Sequence, residues 1–495
     1  MRTLLLLPLL LWPGQAVAQE YAPSREKPPE PLREFRAAWI ATVHNIDWPS
    51  RRGLSAAAQK AELLRLFDRA QALRLNALIL QVRPNGDALY RSSLEPWSHW
   101  LTGQMGRSPG YDPLAFAVEE AHKRGLELHA WFNPFRAIAS PSQSVSSQHI
   151  SQTHPQHLRR YGKHLWLDPG EPFVRERALR VIEDVTRRYD IDGIHIDDYF
   201  YPYPSGAPVG AFPDDATYRQ YGRGDRNDWR RDNVNLFVQQ MYGRVKRAKP
   251  WVKVGISPFG IWRPGVPRSI EASLDAYDHL YADSRKWLQN GWLDYLSPQL
   301  YWRIRPAKQS FPVLLEWWED QNRKNRHLWP GIATSRIQSS EDPGRPASEI
   351  TNQIDYSRKL VKKPSTGHIH WSFTPLQSNK GGINDRLAST YRQPALVPES
   401  RWLPGGNAPQ PALEAKIQNG GWLRVRWGAQ DGNVRWWLVQ ARYGKAWHHI
   451  SLVPGKQREW GFTPQSGRPL PNVISVRAIA PNGELGKASV VAYGR

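Results

Sequence analysis

The sequence predicts an α/β protein: a (β/α)8 TIM-type barrel followed by a small all-β sandwich. Three observations carry this. Eight short apolar runs alternate with stripes of helical period between residues 36 and 373, as parallel strands covered by helices require. The joins are asymmetric. Helix-to-strand joins such as 73–76 and 123–125 are short, whereas strand-to-helix joins such as 133–168 and 200–227 are long. After a Pro-rich stretch at 392–411 the apolar period changes to two.

The chain opens with Met1-Arg2, an apolar run over 4–12 and the small-x-small triplet Ala16-Val17-Ala18. This predicts a secretory signal peptide over 1–18, cut before Gln19. Residues 19–34, rich in Pro, Glu and Arg, read as an N-terminal tether. The barrel is expected over 35–391, with strands in the runs 36–43, 77–82, 126–132, 193–196, 252–256, 295–300, 328–333 and 368–373. Between them Leu63, Leu66, Phe67 and Ala70 recur at i, i+3, i+4, i+7. Val174, Ala178, Val181, Ile182 and Val185 form a second stripe, and Val234, Phe237, Val238, Met241 and Val245 a third. An open doubly wound sheet would carry a Gly-rich phosphate turn after an early strand; Arg83-Pro84-Asn85-Gly86 is not one. Residues 392–411 read as a linker. Beyond them Leu423, Val425 and Trp427 alternate with Trp422, Arg424 and Arg426, and Pro481-Asn482-Gly483 marks a turn. Residues 412–495 are therefore expected to form a β-sandwich resembling fibronectin type III.

Composition narrows the function. The 495 residues hold 67 Lys+Arg against 45 Asp+Glu, a net charge of +22, with 24 Trp and no Cys. Without Cys there is no disulfide framework, thiolate metal site, cysteine nucleophile or lipid-modified N-terminal Cys. No apolar run is long enough for a transmembrane segment. A secreted basic chain meets acidic polymers of a cell envelope rather than nucleic acid. His154, His157 and His164 lack a ligand spacing of the metalloprotease type, so neither metal nor cofactor is expected. No G-x-S-x-G elbow follows a strand, which argues against an α/β serine hydrolase.

The long loops place a cleft at the carboxyl ends of the strands. The segment 190–204, DIDGIHIDDYFYPYP, ends an apolar strand in two adjacent carboxylates and a Tyr-rich loop. Asp197 and Asp198 can support general acid/base work on a glycosidic bond. His195 shares the face of Asp197. A charged imidazole there would favour ionised Asp197, and the aromatic rings after Asp198 would favour its protonated form. Asp198 is thus the expected acid. Asp283 is the candidate for a further catalytic carboxylate. Other strand ends supply groups that suit a sugar: His44, Asn45, Asp47 and Trp48 after the first, Gln81 and Arg83 on the second, Asn133 after the third. Tyr199 and Tyr201 follow the fourth, Ser257 and Trp262 the fifth, Gln299, Tyr301 and Trp302 the sixth, and Trp371 ends the eighth. Aromatic faces take the C–H side of a sugar ring, and amides and acids take its hydroxyls.

FRAAWIATVHNIDWPS (35–50), GIHIDDYFYPYP (193–204), GISPFGIWRPG (255–265), YADSRKWLQNGW (281–292) and DYLSPQLYW (294–302) closely resemble the glycoside-hydrolase-like ten family. Within it, the chain is similar to the divisome-localised glycosyl hydrolases of Gram-negative bacteria. The resemblance spans 33–391. It implies a barrel, a periplasmic location, cell-division proteins as partners and hydrolysis of peptidoglycan glycan strands stripped of stem peptides. It also implies an acid directly after the Tyr-Trp of the sixth strand, where this chain has Arg303. That departure and the absence of an obvious second Glu motivate the alternative reading, a glycan-binding barrel without catalysis.

Overall fold

The computed structural model describes residues 20–140, 143–204, 211–360, 366–429, 433–464 and 469–494. The expected leader at 1–18 lies outside them.

The barrel strands are Phe35–Ile40, Ala77–Arg83, Glu127–Phe132, Gly193–Ile196, Lys253–Ile256, Tyr295–Leu296, the pair His327–Leu328 and Gly331–Ile332, and Gly367–His370. They are parallel and ordered as in the sequence. Trp329-Pro330 interrupts the seventh. Its first half pairs with the sixth strand and its second half with the eighth, and the eighth pairs with the first, so the ring closes. A helix follows each strand: Ala56–Ala72, Pro113–Lys123, Pro172–Arg188, Arg226–Ala248, Ser284–Asn290, Phe311–Gln321, Ala347–Leu360 and Ile383–Thr390. The stripe Leu63, Leu66, Phe67, Ala70 is buried against the outside of the sheet. Ser55 caps that helix by accepting from the Ala58 amide at 3.2 Å. Asp112 caps the next, with Pro113 in its first turn.

The barrel interior is a separate core of Phe35, Trp39, Ile79, Trp131, Tyr295, Trp329 and Ile369. Large rings fit because glycines face them. A Cβ on Gly255 would lie 1.8 Å from the Tyr295 ring, and one on Gly193 would lie 2.5 Å from His129 Nδ1. Small and large residues thus alternate around the barrel, as layered packing requires.

The C-terminal domain is two antiparallel sheets around Val425, Trp427, Trp437, Val439, Ile474 and Val476. One holds Ala412–Ile417, Leu423–Gly428 and Glu459–Phe462. The other holds Trp436–Tyr443, Ala446–Pro454, Val473–Ile479 and Ser489–Tyr493. Two sequence expectations need correction here. The stretch 19–34 is not a free tether: Tyr21–Pro23 adds an antiparallel strand beside Ser489–Tyr493, covering an edge that would otherwise stay open. Nor is 392–411 a loose linker, because Ala395–Leu396 pairs with Leu32–Arg33. Composition missed these contacts because they are made by backbone and by ion pairs between distant residues, Glu26 with Arg442 and Glu30 with Arg477.

Candidate active site

A cleft of about 540 Å³ opens at the carboxyl ends of the strands. Asp197 and Asp198 lie in its floor, each 6% exposed. Asp197 ends the strand Gly193–Ile196 on the inward face, and Asp198 turns in because the strand has already stopped. Asn133 Nδ2 donates to both Asp197 oxygens, at 2.9 and 2.7 Å. Gln81 Nε2 donates to Asn133 Oδ1 at 2.6 Å, and Gln81 Oε1 accepts from the Thr42 and Val43 amides, both at 2.9 Å. Three successive strands therefore fix the Asp197 carboxyl. Asp198 accepts from the Tyr203 hydroxyl and from Gln299.

Burial and the charge of Asp198 push Asp197 up to about 7. Burial also raises Asp198, but the bonds from Tyr203 and Gln299 oppose the rise. Like charges this close cannot both ionise freely, so the pair holds one proton near neutrality. Burial and the charge of Asp198 act together on Asp197, so Asp197 keeps it and Asp198 is the ionised member. The sequence reading has the roles the other way round, with Asp198 as the acid. The expected cause was a charged His195, and burial instead keeps that imidazole neutral. Trp39 Nε1 donates to His195 Nε2 at 3.1 Å, so the ring proton sits on Nδ1, 2.9 Å from the Tyr295 hydroxyl. That hydroxyl lies 2.9 Å from His129 Nδ1, and His129 Nε2 lies 3.1 Å from Glu127. His195 thus heads a hydrogen-bonded chain running down the barrel axis, away from Asp197.

A pH profile follows. Catalysis that needs protonated Asp197 and ionised Asp198 gives a bell-shaped kcat/KM, with the basic limb falling above about pH 7. Rates on glycan from pH 4 to 9 test this, and a flat rate to pH 9 would remove Asp197 as the donor.

Of the residues expected to bind substrate, His44, Gln81, Tyr199, Ser257, Gln299, Tyr301, Trp302 and Trp371 line the cleft. The others do not. Asn133 and His195 stand behind it, as described. Asp47 is saturated by the Ala41 and Thr374 amides, Ser372 Oγ and Thr374 Oγ1, joining the first and last strand ends. Trp48 is fully buried and donates to the Gln59 carbonyl at 2.9 Å. Asn45 donates to the Trp100 carbonyl at 3.0 Å. The strand register shifts between Gln81 and Arg83, which turns Arg83 outward onto Glu95. Tyr201 packs between Phe212 and Tyr281. Trp262 stacks on Trp317. Asp283 accepts from the Lys286 amide at 3.2 Å and from Trp262 Nε1 at 3.2 Å, so it caps the helix Ser284–Asn290 instead of facing the cleft. Arg303 pairs with Asp342 and does not line the cleft.

Trp131 and Tyr203, read from the sequence as strand-end and loop aromatics, line the cleft too, whereas Trp39, Arg136, Trp166 and Glu341 escaped sequence reasoning. Trp39 and Trp131 were legible by parity, since both point inward on their strands. Arg136 sits in a long loop with no motif. Its Nε donates to the Pro84 carbonyl at 2.9 Å, and its guanidinium lies 5.0 Å from the centre of the Tyr199 ring. Its positive charge favours ionisation of both aspartates.

The model of the family described as glycosyl hydrolase-like 10 matches residues 34–345. The chain belongs to that family. It is 44% identical over 411 residues to the glycosyl hydrolase YngK of Bacillus subtilis (strain 168), covering 80% of this chain and 79% of the relative. It is 36% identical over 342 residues to the glycosyl hydrolase DigH of Escherichia coli (strain K12), covering 64% and 77%. Among solved structures, the glycoside hydrolase domain of PgaB (BpsB) from Bordetella bronchiseptica matches 73% of this chain and 99% of that one, at 12% identity and TM-score 0.47. The family supports a glycosidase, and the strand-end carboxylates lie where barrel enzymes keep their chemistry. Among the described residues no helix is long and apolar enough to cross a membrane, and no group of metal-binding side chains occurs.

Proposed function

We propose that the chain hydrolyses glycosidic bonds in peptidoglycan glycan strands, with Asp197 as proton donor and Asp198 as its ionised partner. The carrying observation is the pair of buried, proton-sharing carboxylates in the floor of an aromatic cleft. Tyr301, Trp302 and Trp371, only partly buried, supply faces for sugar rings. Arg136 and Arg336 line the same cleft, and the whole chain is strongly basic. A glycan stripped of stem peptides bears a free lactyl carboxylate on each muramyl residue, so basic walls suit it. The leader-like 1–18 supports a periplasmic site of action, with cell-division proteins as the partners that the family resemblance implies. The C-terminal domain, read as a basic module resembling fibronectin type III, supports attachment to an acidic polymer.

Arg303 was the motive for a binding-only reading. It turns away from the cleft onto Asp342, so its departure from an acid leaves the carboxylate pair intact. The test is release of soluble fragments from amidase-treated sacculi by the purified protein. Fragments are expected from wild type, and at least a hundredfold slower release from Asp198→Asn. Tight sacculus binding without product, across pH, would overturn the proposal.

A further inference from the structure

The cleft raises a stoichiometric question. A glycosidase that retains configuration by double displacement needs a nucleophilic carboxylate on the face of the sugar opposite the acid, and an inverting one needs a base there. Asp197 and Asp198 hang from neighbouring Cα atoms, about 3.8 Å apart, at the end of one strand. Both therefore approach a bound sugar from the same wall. Among the described lining residues the only other carboxylate is Glu341. Its side chain is 70% exposed at the rim and lies 3.3 Å from Arg336. Residues 141–142 and 205–210, outside the described residues, contain no Asp or Glu. The other lining side chains include the aromatics Trp39, Trp371 and Tyr301.

We infer that the substrate supplies the missing nucleophile, so that the enzyme cleaves after a 2-acetamido sugar by neighbouring-group participation, with Asp198 holding the acetamido N–H. This rests on the proposed glycan substrate, in which both sugars carry that group. The step balances. The acetamido carbonyl oxygen forms a bond to C1 as the C1–O glycosidic bond breaks. The electron pair of that bond goes to the leaving oxygen, which takes the proton of Asp197. The resulting oxazolinium ion keeps its N–H against the Asp198 carboxylate, which Tyr203 and Gln299 hold in place. A water then gives a proton to the Asp197 carboxylate and bonds C1 through its oxygen, and the five-membered ring opens. The acetamido group is restored and configuration at C1 is retained. The adjacency of the two acids, awkward for two-sided attack, is what this chemistry uses: one serves the leaving oxygen and its neighbour serves the amide.

The test uses the full chain and the thiazoline analogues of N-acetylglucosamine and N-acetylmuramic acid, stable mimics of the bicyclic intermediate. Calorimetry is expected to show binding of at least one, weakened tenfold or more in Asp198→Asn, whose folding is checked by its melting curve. The product anomer, read by proton NMR immediately after cleavage, is expected to be retained. If wild type releases fragments but binds neither thiazoline, or gives the inverted anomer, the inference falls while the proposed function stands. If no fragments are released yet a thiazoline binds through Asp198, the site chemistry stands and the assigned polymer falls. If neither occurs, both fall. Loss of hydrolysis in Glu341→Gln together with absent thiazoline binding would give the nucleophile's role to Glu341 and overturn the inference.

Discussion

Asp197→Asn is expected to lower kcat on glycan by ~10²–10⁴-fold, the usual worth of a positioned general acid, and to raise stability at neutral pH. Both effects have one origin. Asp197 is buried beside Asp198, which pushes its carboxyl from an ordinary 3.8 up to about 7. An acid raised in the folded state binds its proton where the unfolded chain has released it. Stability therefore falls as pH rises from about 4 to about 7. Asparagine removes that loss and keeps the Asn133 contact, so the melting temperature should exceed wild type at pH 7.5 and converge on it near pH 4. The catalytic loss depends on the leaving group. An activated aryl glycoside departs without protonation, so the variant should keep most of its rate on that substrate. Equal losses on aryl glycoside and glycan would remove Asp197 as the acid. An unchanged melting temperature at pH 7.5 would mean that burial does not raise the Asp197 carboxyl.

What the sequence revealed of this site follows from period and parity. All eight strands were legible because fully buried parallel strands are short apolar runs, and their order in the ring is their order in the chain. Gln81, Asp197, Ser257 and Gln299 were legible because each lies at or just past a strand end on the inward face. Arg83 failed by the same reasoning, since a register shift after Gln81 reversed its face and no local signal marks that shift. Asp47 and Asp283 failed for another cause. Both follow strands at the correct end, yet backbone amides claim their carboxylates, and competition between cap and site is settled by tertiary geometry. The order of the two acids was read from the sequence on the expectation of a charged His195, which burial keeps neutral. The extra strand at Tyr21–Pro23 could not be read at all, because three residues pairing with others about 470 positions away carry no periodic signal.

Arg435→Ala is expected to destabilise the protein by about 3 kcal/mol at pH 7, at the low end of what breaking a buried ion pair costs. Arg435 is the joint between the two domains. Its Nε donates to Asp192 Oδ1 at 2.8 Å and its Nη1 to Asp190 Oδ1 at 2.8 Å. Asp192 is buried at the base of the fourth barrel strand, where Oδ2 also accepts the Leu128 amide at 2.9 Å. Burial works against the charge of Asp192, yet Arg435 and His122 together hold its carboxyl well below the usual range. Truncation leaves that charge with His122, 2.9 Å away, as its close partner, which keeps the loss from being larger. A depressed carboxyl contributes stability above its unfolded pKa and loses it as pH falls. The penalty of the variant should therefore be full at pH 7 and still largely present at pH 3, shrinking only as pH falls further toward the depressed folded-state value. The network lies at the opposite end of the barrel from the cleft, so kcat of the folded variant should stay within twofold of wild type. Urea unfolding at both pH values checks this. A difference under about 0.5 kcal/mol at pH 7 would mean that other contacts, such as the packing of Leu396, Trp436 and Leu438, hold the two domains together.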